Sequence, residues 1–296
     1  MRQNGVRAAD WDGDGKTDLL AGDTDGFIWL FRNESSQLYP LFARAEKLRA
    51  GGQPLCVAAS GGHARFDVCD WDRDGATDLV VADGIGTLTL FHGLGVKATP
   101  ALAAGTTMLA DGKPIQGAAR ASVLVCDWDN DGRQDVVFAD EKGYYWHRNI
   151  GRDVDPRLAV REVVAFPGKG VTYVRPNLGS FVDWDGDGGR DFIGCHFENS
   201  IRLYRNVGSG GARVPPRFAD AEGEIIVQAS SPQMISGVHA VDWNGDGDLD
   251  LLTGQGHGGS GLRYFERDWI DDELRNTHPH VRVAGLERKS NLRRNP

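Results

Sequence analysis

The sequence predicts an all-β fold of the β-propeller class, built from five copies of one module. One nine-residue loop of the form Asp-Trp-Asp/Asn-x-Asp-Gly-x-x-Asp recurs five times, beginning at Asp10, Asp70, Asp127, Asp183 and Asp242. The loops begin 60, 57, 56 and 59 residues apart, and short apolar runs flank each of them. Self-similarity at such a period is typical of closed or stacked arrays of one supersecondary unit.

Each module predicts four short strands. The first precedes the loop, at 66–69, 123–126, 181–182 and 238–241, and the second starts at the last Asp of the loop. The third is rich in aromatic residues, at 27–31, 87–91, 144–147, 201–204 and 263–265. Fourth-strand candidates include 158–166 and 224–227. Four strands per module are typical of a propeller blade; a sandwich or barrel is the alternative, but five equivalent modules without a helix signal favour radial repetition.

The domain organisation follows from the repeats. We expect one propeller domain over 1–286, with repeats near 5–62, 63–119, 120–176, 177–235 and 236–286, and a basic tail at 287–296. The five visible blades either close on themselves or belong to a larger ring.

The loops have the spacing of an oxygen cage for a hard cation. Side chains at positions 1, 3, 5 and 9 and the backbone carbonyl of position 7 converge only if the chain turns sharply, which the Gly at position 6 permits. Oxygen ligands without His or Cys favour calcium over zinc or copper. The predicted ligands, for up to five Ca²⁺, are Asp10, Asp12, Asp14, Lys16, Asp18, Asp70, Asp72, Asp74, Ala76, Asp78, Asp127, Asp129, Asp131, Arg133, Asp135, Asp183, Asp185, Asp187, Gly189, Asp191, Asp242, Asn244, Asp246, Asp248 and Asp250.

Net charge supports this interpretation. The formal net charge is −9, from 33 Lys and Arg against 42 Asp and Glu. Crowding three or four carboxylates into each loop without a cation is repulsive, so metal binding and folding should be coupled. The acidity therefore reflects metal binding and says little about nucleic acid or membranes. No nucleic-acid partner is expected.

Other parts of the chain define its class. There is no run of eighteen apolar residues and no apolar segment near the start, so we expect no membrane span and no signal peptide in this chain. An extracellular or periplasmic location is expected. Four cysteines, Cys56, Cys69, Cys126 and Cys195, show no paired framework and are predicted to be free.

Tryptophans divide into two groups. The five loop tryptophans lie between two predicted ligands and recur in every module, which predicts packing between blades rather than sugar stacking. Trp29, Trp146 and Trp269 do not recur in every blade and are better candidates for an exposed platform.

One column of the repeat departs from its own consensus. Thirteen residues after each first Asp stand Asp23, Asp83, Asp140, His196 and Gln255, of which the three Asp residues open predicted hairpin turns. The candidate catalytic or ligand-binding residues near the deviating repeats are His196, Glu198, Tyr173, Arg175 and His257. Gathered on one face, they would suit recognition of an acidic sugar or proton abstraction beside a uronate carboxyl group. The alternative is that they are unrelated surface residues.

The loop D-x-D-x-D-G-x-x-D-L, a Gly-rich turn and a strand end of the form Leu-Phe/Tyr-Arg-Asn (30–33 and 203–206) resemble the FG-GAP/VCBS repeat family. The resemblance covers nearly the whole chain. It implies a calcium-bearing β-propeller, of a kind that serves in integrin-like proteins, fungal lectins and polysaccharide-degrading enzymes.

Three functions therefore stay open. The first is a calcium-stabilised module that binds a polysaccharide or other glycan. The second is a lyase or glycosidase acting on uronate-containing glycans, and the third is a protein-interaction or adhesion scaffold. The same blades can carry any of these functions, so the repeats alone decide neither catalysis nor oligomeric state.

Overall fold

The computed structural model describes residues 3–36, 40–58, 61–95, 100–119, 121–140, 143–152, 155–164, 179–196, 200–208, 213–219, 223–228, 235–255 and 262–275. These residues form five antiparallel sheets that stand as the blades of a propeller ring, together with two small hairpins and one helix. The predicted fold class is confirmed. The predicted tail at 287–296 lies outside the described residues.

Each blade is a meander whose strands pair in chain order. Blade 1 contains β1 (Gln3–Ala9), β2 (Asp18–Asp23), β3 (Ile28–Phe31) and β4 (Glu46–Lys47), followed by a hairpin of β5 (Arg49–Ala50) and β6 (Gln53–Pro54). Blade 2 contains β7 (Arg65–Cys69), β8 (Asp78–Ala82), β9 (Leu88–Phe91) and β10 (Thr106–Thr107), followed by a hairpin of β11 (Leu109–Ala110) and β12 (Lys113–Pro114).

The remaining blades repeat this plan. Blade 3 contains β13 (Ser122–Cys126), β14 (Asp135–Asp140), β15 (Gly143–His147) and β16 (Glu162–Val163), and blade 4 contains β17 (Ser180–Val182), β18 (Asp191–Cys195), β19 (Ser200–Tyr204) and β20 (Glu224–Gln228). In the described part of blade 5 three strands pair, namely β21 (Ile235–Val241), β22 (Asp250–Gln255) and β23 (Leu262–Phe265).

The second strand of a blade is buried on both faces. All residues of β2, β8, β14 and β18 are buried, including the Asp with which each strand begins. Each blade is covered by a neighbour on either side, so these strands show a continuous apolar run instead of an alternating pattern. This is why the sequence identifies them easily.

The loop tryptophans pack between neighbouring blades, as predicted. Trp11, Trp71, Trp128, Trp184 and Trp243 are each at most 6 % exposed. Each belongs to an apolar cluster that joins its own blade to the next one, and Trp128 stacks on Phe181 of blade 4 with ring centroids 4.4 Å apart. The cluster of Trp243 contains Val6, Ala8 and Leu19 of blade 1. Blade 5 therefore packs on blade 1, and five blades close the ring.

Two expectations about exposed or helical segments are wrong. Trp146 is buried and donates its indole N–H to Asp135, while Trp29 and Trp269 are only partly exposed, so they form no common platform. A helix, α1 (Arg267–Arg275), follows β23 although no helix was expected. Ile270 of this helix is buried in the cluster between blades 4 and 5, and this tertiary contact stabilises a segment too short to be helical by propensity alone.

The helix α1 has nine residues, and no helix in the described ranges is long and apolar enough to cross a membrane. The four cysteines are free, as predicted.

The innermost strands are joined by a polar belt around the ring axis. Its side chains lie three residues before the loop in four blades, where Arg7, Asp67, Ser180 and His239 stand, whereas blade 3 has the apolar Leu124 at this position. The buried Arg7 donates from Nε to Asp67 Oδ1 at 2.5 Å and from Nη2 to the carbonyl of Gly179 in blade 4 at 3.3 Å. Asp67 Oδ2 accepts the Val125 N–H of blade 3 at 2.8 Å. One ion pair thus connects four blades.

The belt also joins the first and last blades. His239 Nε2 lies 3.2 Å from the carbonyl oxygen of Ala8, and Ser180 Oγ accepts the Ala240 N–H at 2.8 Å. Burial, with the positive charge of Arg7 nearby, lowers the pKa of His239 to about 3. His239 is therefore neutral at physiological pH. Because the Ala8 carbonyl oxygen can only accept a hydrogen bond, the proton of the neutral His239 ring is on Nε2.

We expect the axial ion pair to be essential for stability. Removing one partner of a buried pair leaves an unpaired charge and costs about 3–5 kcal/mol, so Arg7→Met should lower the free energy of unfolding by that amount in denaturant titrations. The control is Arg157→Met, which removes an exposed Arg157–Asp155 pair and should cost less than about 1 kcal/mol. Equal effects of the two variants would contradict this account.

Candidate functional site

All five loops share one backbone conformation. The Gly at position 6 has a φ of +86° to +96° in every loop, and no other atom lies within 4 Å of a Cβ built on it. Glycine is therefore favoured at position 6 because of its positive φ and not because a larger side chain would lack space. Position 4 is also left-handed in every loop, and two blades place Arg73 and Asn130 there instead of Gly.

Two carboxylates in each loop hold the turn from within. One oxygen of the first Asp accepts the N–H of position 6, and one oxygen of the fifth residue accepts the N–H of position 7. The first bond joins Asp10 to Gly15, Asp70 to Gly75, Asp127 to Gly132, Asp183 to Gly188 and Asp242 to Gly247, at 2.9–3.1 Å. The second joins Asp14 to Lys16, Asp74 to Ala76, Asp131 to Arg133, Asp187 to Gly189 and Asp246 to Asp248, at 2.7–3.1 Å.

The ninth-position Asp fastens the loop to the blade. In every blade one oxygen accepts the N–H of the loop Trp, and the other accepts a backbone N–H just beyond the third strand. These carboxylates, Asp18, Asp78, Asp135, Asp191 and Asp250, are at most 1 % exposed. Sequence analysis assigned them to the metal alone and missed this structural role.

Burial raises the pKa of all five of these carboxyls. The value reaches about 7 for Asp135 and about 6 for Asp250, because desolvation outweighs the hydrogen bonds that each carboxylate accepts. A nearby cation would restore the charged form.

Four of the loops bring three acidic side chains within ligating distance of a common point. The groups are Asp10, Asp12 and Asp14; Asp70, Asp72 and Asp74; Asp127, Asp129 and Asp135; and Asp183, Asp185 and Asp191, with ligand atoms within 4.8 Å of one another. The fifth loop differs, because the Asn244 amide donates to Asp246 Oδ2 at 2.7 Å and to Glu266 at 3.3 Å. The carbonyl ligands predicted at position 7, and a fifth ion, stay predictions.

Unpaired oxygens show that the loops fit a cation. Oδ1 of Asp12, Asp70 and Asp129 is closed to solvent and has no hydrogen-bond partner in the structure. A buried carboxylate oxygen without a donor is costly unless a cation neutralises it. Because the available metal ligands are carboxylate oxygens, the loops suit a hard divalent ion.

In three blades an arginine side chain lies beside the third-position Asp of the loop, which sequence analysis did not predict. Arg32 donates to Asp12 at 2.8 Å, Arg148 lies 2.7 Å from Asp129, and Arg205 donates to Asp185 at 2.5 Å. In blade 2 the residue is His92, and in blade 5 Glu266 faces Asn244. The Arg of the Leu-Phe/Tyr-Arg-Asn segments at 30–33 and 203–206 occupies this position and could have indicated it.

A small cavity lies between the loops of blades 1 and 2. It has a volume of about 110 Å³. Asp10 and Trp11 line it from blade 1, Thr77 and the segments 93–95 and 100–101 line it from blade 2, and Gly13, Gly75 and Ala76 complete the wall. Carboxylate, hydroxyl and bare glycine backbone thus face an apolar surface that includes Leu94 and Pro100.

Little of the predicted catalytic cluster falls within the described residues. His196 follows β18 and is partly buried. Its backbone N–H donates to the Ser200 carbonyl at 2.8 Å. Tyr173, Arg175, Glu198 and His257 lie outside the described residues.

The hairpin turns predicted to begin at Asp23 and Asp83 are present in blades 1 and 2. Asp23 accepts the N–H of Phe27, and Asp83 accepts those of Ile85 and Thr87.

The fold and its loops define a β-propeller with carboxylate-rich blade loops. The chain belongs to the FG-GAP-like repeat family, whose model matches residues 10–81, 70–138 and 183–253, together more than half of the chain.

Solved structures also resemble the chain. A Photorhabdus luminescens Tc holotoxin pore shows 15% identity and a TM-score of 0.39 over 92% of this chain and 16% of its own. An Agrocybe aegerita lectin that recognises non-reducing terminal N-acetylglucosamine shows 16% identity and a TM-score of 0.45 over 96% of this chain and 66% of its own. This chain thus spans less than two thirds of either chain. No curated protein sequence matches it.

The ninth-position Asp should stabilise the fold through hydrogen bonds as well as through metal. In Asp135→Asn the amide cannot accept on both sides, although Trp128, Trp146 and Asn149 all donate to this side chain. Leaving a buried donor without its partner costs about 1–3 kcal/mol. We expect a loss of at least that size in denaturant titrations, with or without chelator, whereas the exposed Asp155→Asn should have little effect. A loss seen only in the presence of metal would argue against the structural role.

Proposed function

We propose that this chain is a calcium-stabilised binding module that holds a carbohydrate residue in the cavity between blades 1 and 2. The observation that carries the proposal is the lining of this cavity. A sugar presents hydroxyl groups around its edge and C–H groups on its face, so it needs polar partners beside an apolar surface. Asp10 and Thr77 supply the former, and Leu94 and Pro100 supply the latter.

The size of the cavity limits the ligand. At about 110 Å³ it is smaller than the range of roughly 300–1,000 Å³ that is typical of sites for drug-sized ligands. It would hold part of one terminal sugar or of one polysaccharide residue, with the rest of the ligand in solvent.

The ion and the ligand would be linked through shared residues. Asp10 lines the cavity and also belongs to the acidic group of loop 1, while Gly75 and Ala76 are the turn residues of loop 2. Calcium is the ion proposed, because these acidic groups offer hard oxygen ligands and flexible geometry. A bound ion would fix the orientation of both loops and thereby the shape of the cavity. We place the protein in an extracellular or periplasmic compartment, where millimolar calcium fills weak sites.

The alternative functions have less support. The lyase or glycosidase hypothesis depends on five residues, of which His196 alone is described. The scaffold hypothesis has one supporting observation, since the second residue after the Arg or His that lies beside the third-position Asp is apolar and exposed in three blades, as Leu94, Ile150 and Val207.

The binding test uses the calcium-loaded full chain on a glycan array, followed by calorimetry with the glycans that bind. We expect binding to be lost on chelation. Ala101→Trp, which fills the cavity, should weaken it at least tenfold. Ala219→Trp is the control, because it changes an exposed alanine of blade 4 outside the cavity.

A folded, calcium-loaded protein that binds no glycan would contradict the proposal and favour the scaffold. Binding that Ala101→Trp leaves unchanged would place the site elsewhere and contradict the assigned cavity.

A further inference from the structure

Blade 2 differs from its neighbours at the residue that faces the third loop position. Blades 1, 3 and 4 place an arginine there, and each guanidinium pairs with the third-position Asp of its own loop. Blade 2 places His92 at this point. A guanidinium cannot ligate a metal because it has only donors, whereas a neutral imidazole carries a nitrogen lone pair.

His92 stands at ligating distance from two carboxylates. Its Nδ1 lies 3.4 Å from Asp72 Oδ2 and 3.6 Å from Asp78 Oδ1. Ligands bound at 2.0–2.1 Å in the tetrahedral arrangement that zinc prefers lie about 3.3–3.4 Å apart, so the separation from Asp72 fits this geometry and that from Asp78 is slightly longer. The three side chains form an acidic and imidazole group within 4.8 Å of one another.

The surroundings keep the group in place without occupying the nitrogen. His92 Nδ1 is closed to solvent and has no hydrogen-bond partner in the structure. Asp78 is held by the N–H groups of Trp71 and Gly93, each at 2.7 Å, so its orientation does not depend on His92. The His92 side chain is 39% exposed as a whole, so the group lies near the surface of blade 2.

We propose that blade 2 holds a second class of metal site, in which Asp72, Asp78 and His92 bind Zn²⁺ or a similar first-row divalent ion. A mixed nitrogen and oxygen ligand set suits such ions, whereas the all-carboxylate groups of the other loops suit calcium. Three protein ligands leave a fourth position for water. Asp72 also belongs to the all-oxygen group with Asp70 and Asp74, so the two classes of ion compete for this carboxylate.

The test measures how many Zn²⁺ ions the full chain binds with high affinity, by calorimetry in calcium-containing buffer. Co²⁺ serves as a spectroscopic probe of four-coordinate binding. We expect one Zn²⁺ site in the native protein and an intense visible Co²⁺ absorption. His92→Arg, which installs the residue of blades 1, 3 and 4, should weaken the zinc affinity at least tenfold and remove the absorption. Arg32→Lys is the matched control in blade 1 and should leave both unchanged.

Should His92→Arg fail to fold by circular dichroism, His92→Gln replaces it, since the amide is smaller and uncharged. The inference is overturned if the native protein binds no Zn²⁺, or if the His92 variant that folds binds it as the native protein does. Calcium titrations of the same samples test the proposed function separately. Calcium binding that persists while the zinc site is absent overturns this inference alone.

Discussion

The structure depends on carboxylates that are crowded into five turns and need a positive charge. In each loop two acidic residues use an oxygen to fix the turn, and the ninth-position Asp is buried and fastened to the blade. Oxygens of Asp12, Asp70 and Asp129 are buried without a hydrogen-bond donor, and each of these residues lies close to other carboxylates of its own loop. Repulsion between like charges at a few ångströms is large when they are partly desolvated. The arginines facing positions 12, 129 and 185 offset part of it, and a divalent ion would offset the rest.

Ring closure explains why one loop motif can serve two purposes. The Trp at the second loop position faces away from the acidic side chains and packs against the following blade, so the same turn that gathers carboxylates also sets the spacing between blades. The cavity between blades 1 and 2 is a consequence, because loop residues of both blades form its walls. An ion in either loop would therefore act on the interface as well as on its own blade.

Sequence analysis succeeded where a physical requirement is repeated. The turn glycines, the apolar runs of the second strands and the inter-blade tryptophans recur in every module, and each was recognised as a turn, a strand or a packing residue. The polar belt was not predicted because its four side chains, Arg7, Asp67, Ser180 and His239, are chemically different and meet only when the ring closes. The helix after β23 was missed because it is stabilised by a tertiary contact, namely the burial of Ile270 between blades 4 and 5. Four of the five residues in the predicted catalytic cluster lie outside the described part of the chain.

The most direct test of the central claim is the thermal stability of the protein at increasing free calcium, starting from a fully chelated sample. Each occupied site adds about 2.7 kcal/mol at a hundredfold excess of ion over its Kd. The account predicts a midpoint of unfolding that rises steadily with calcium, accompanied by calorimetric binding of several ions per chain. An unchanged midpoint, with no binding heat, would contradict it.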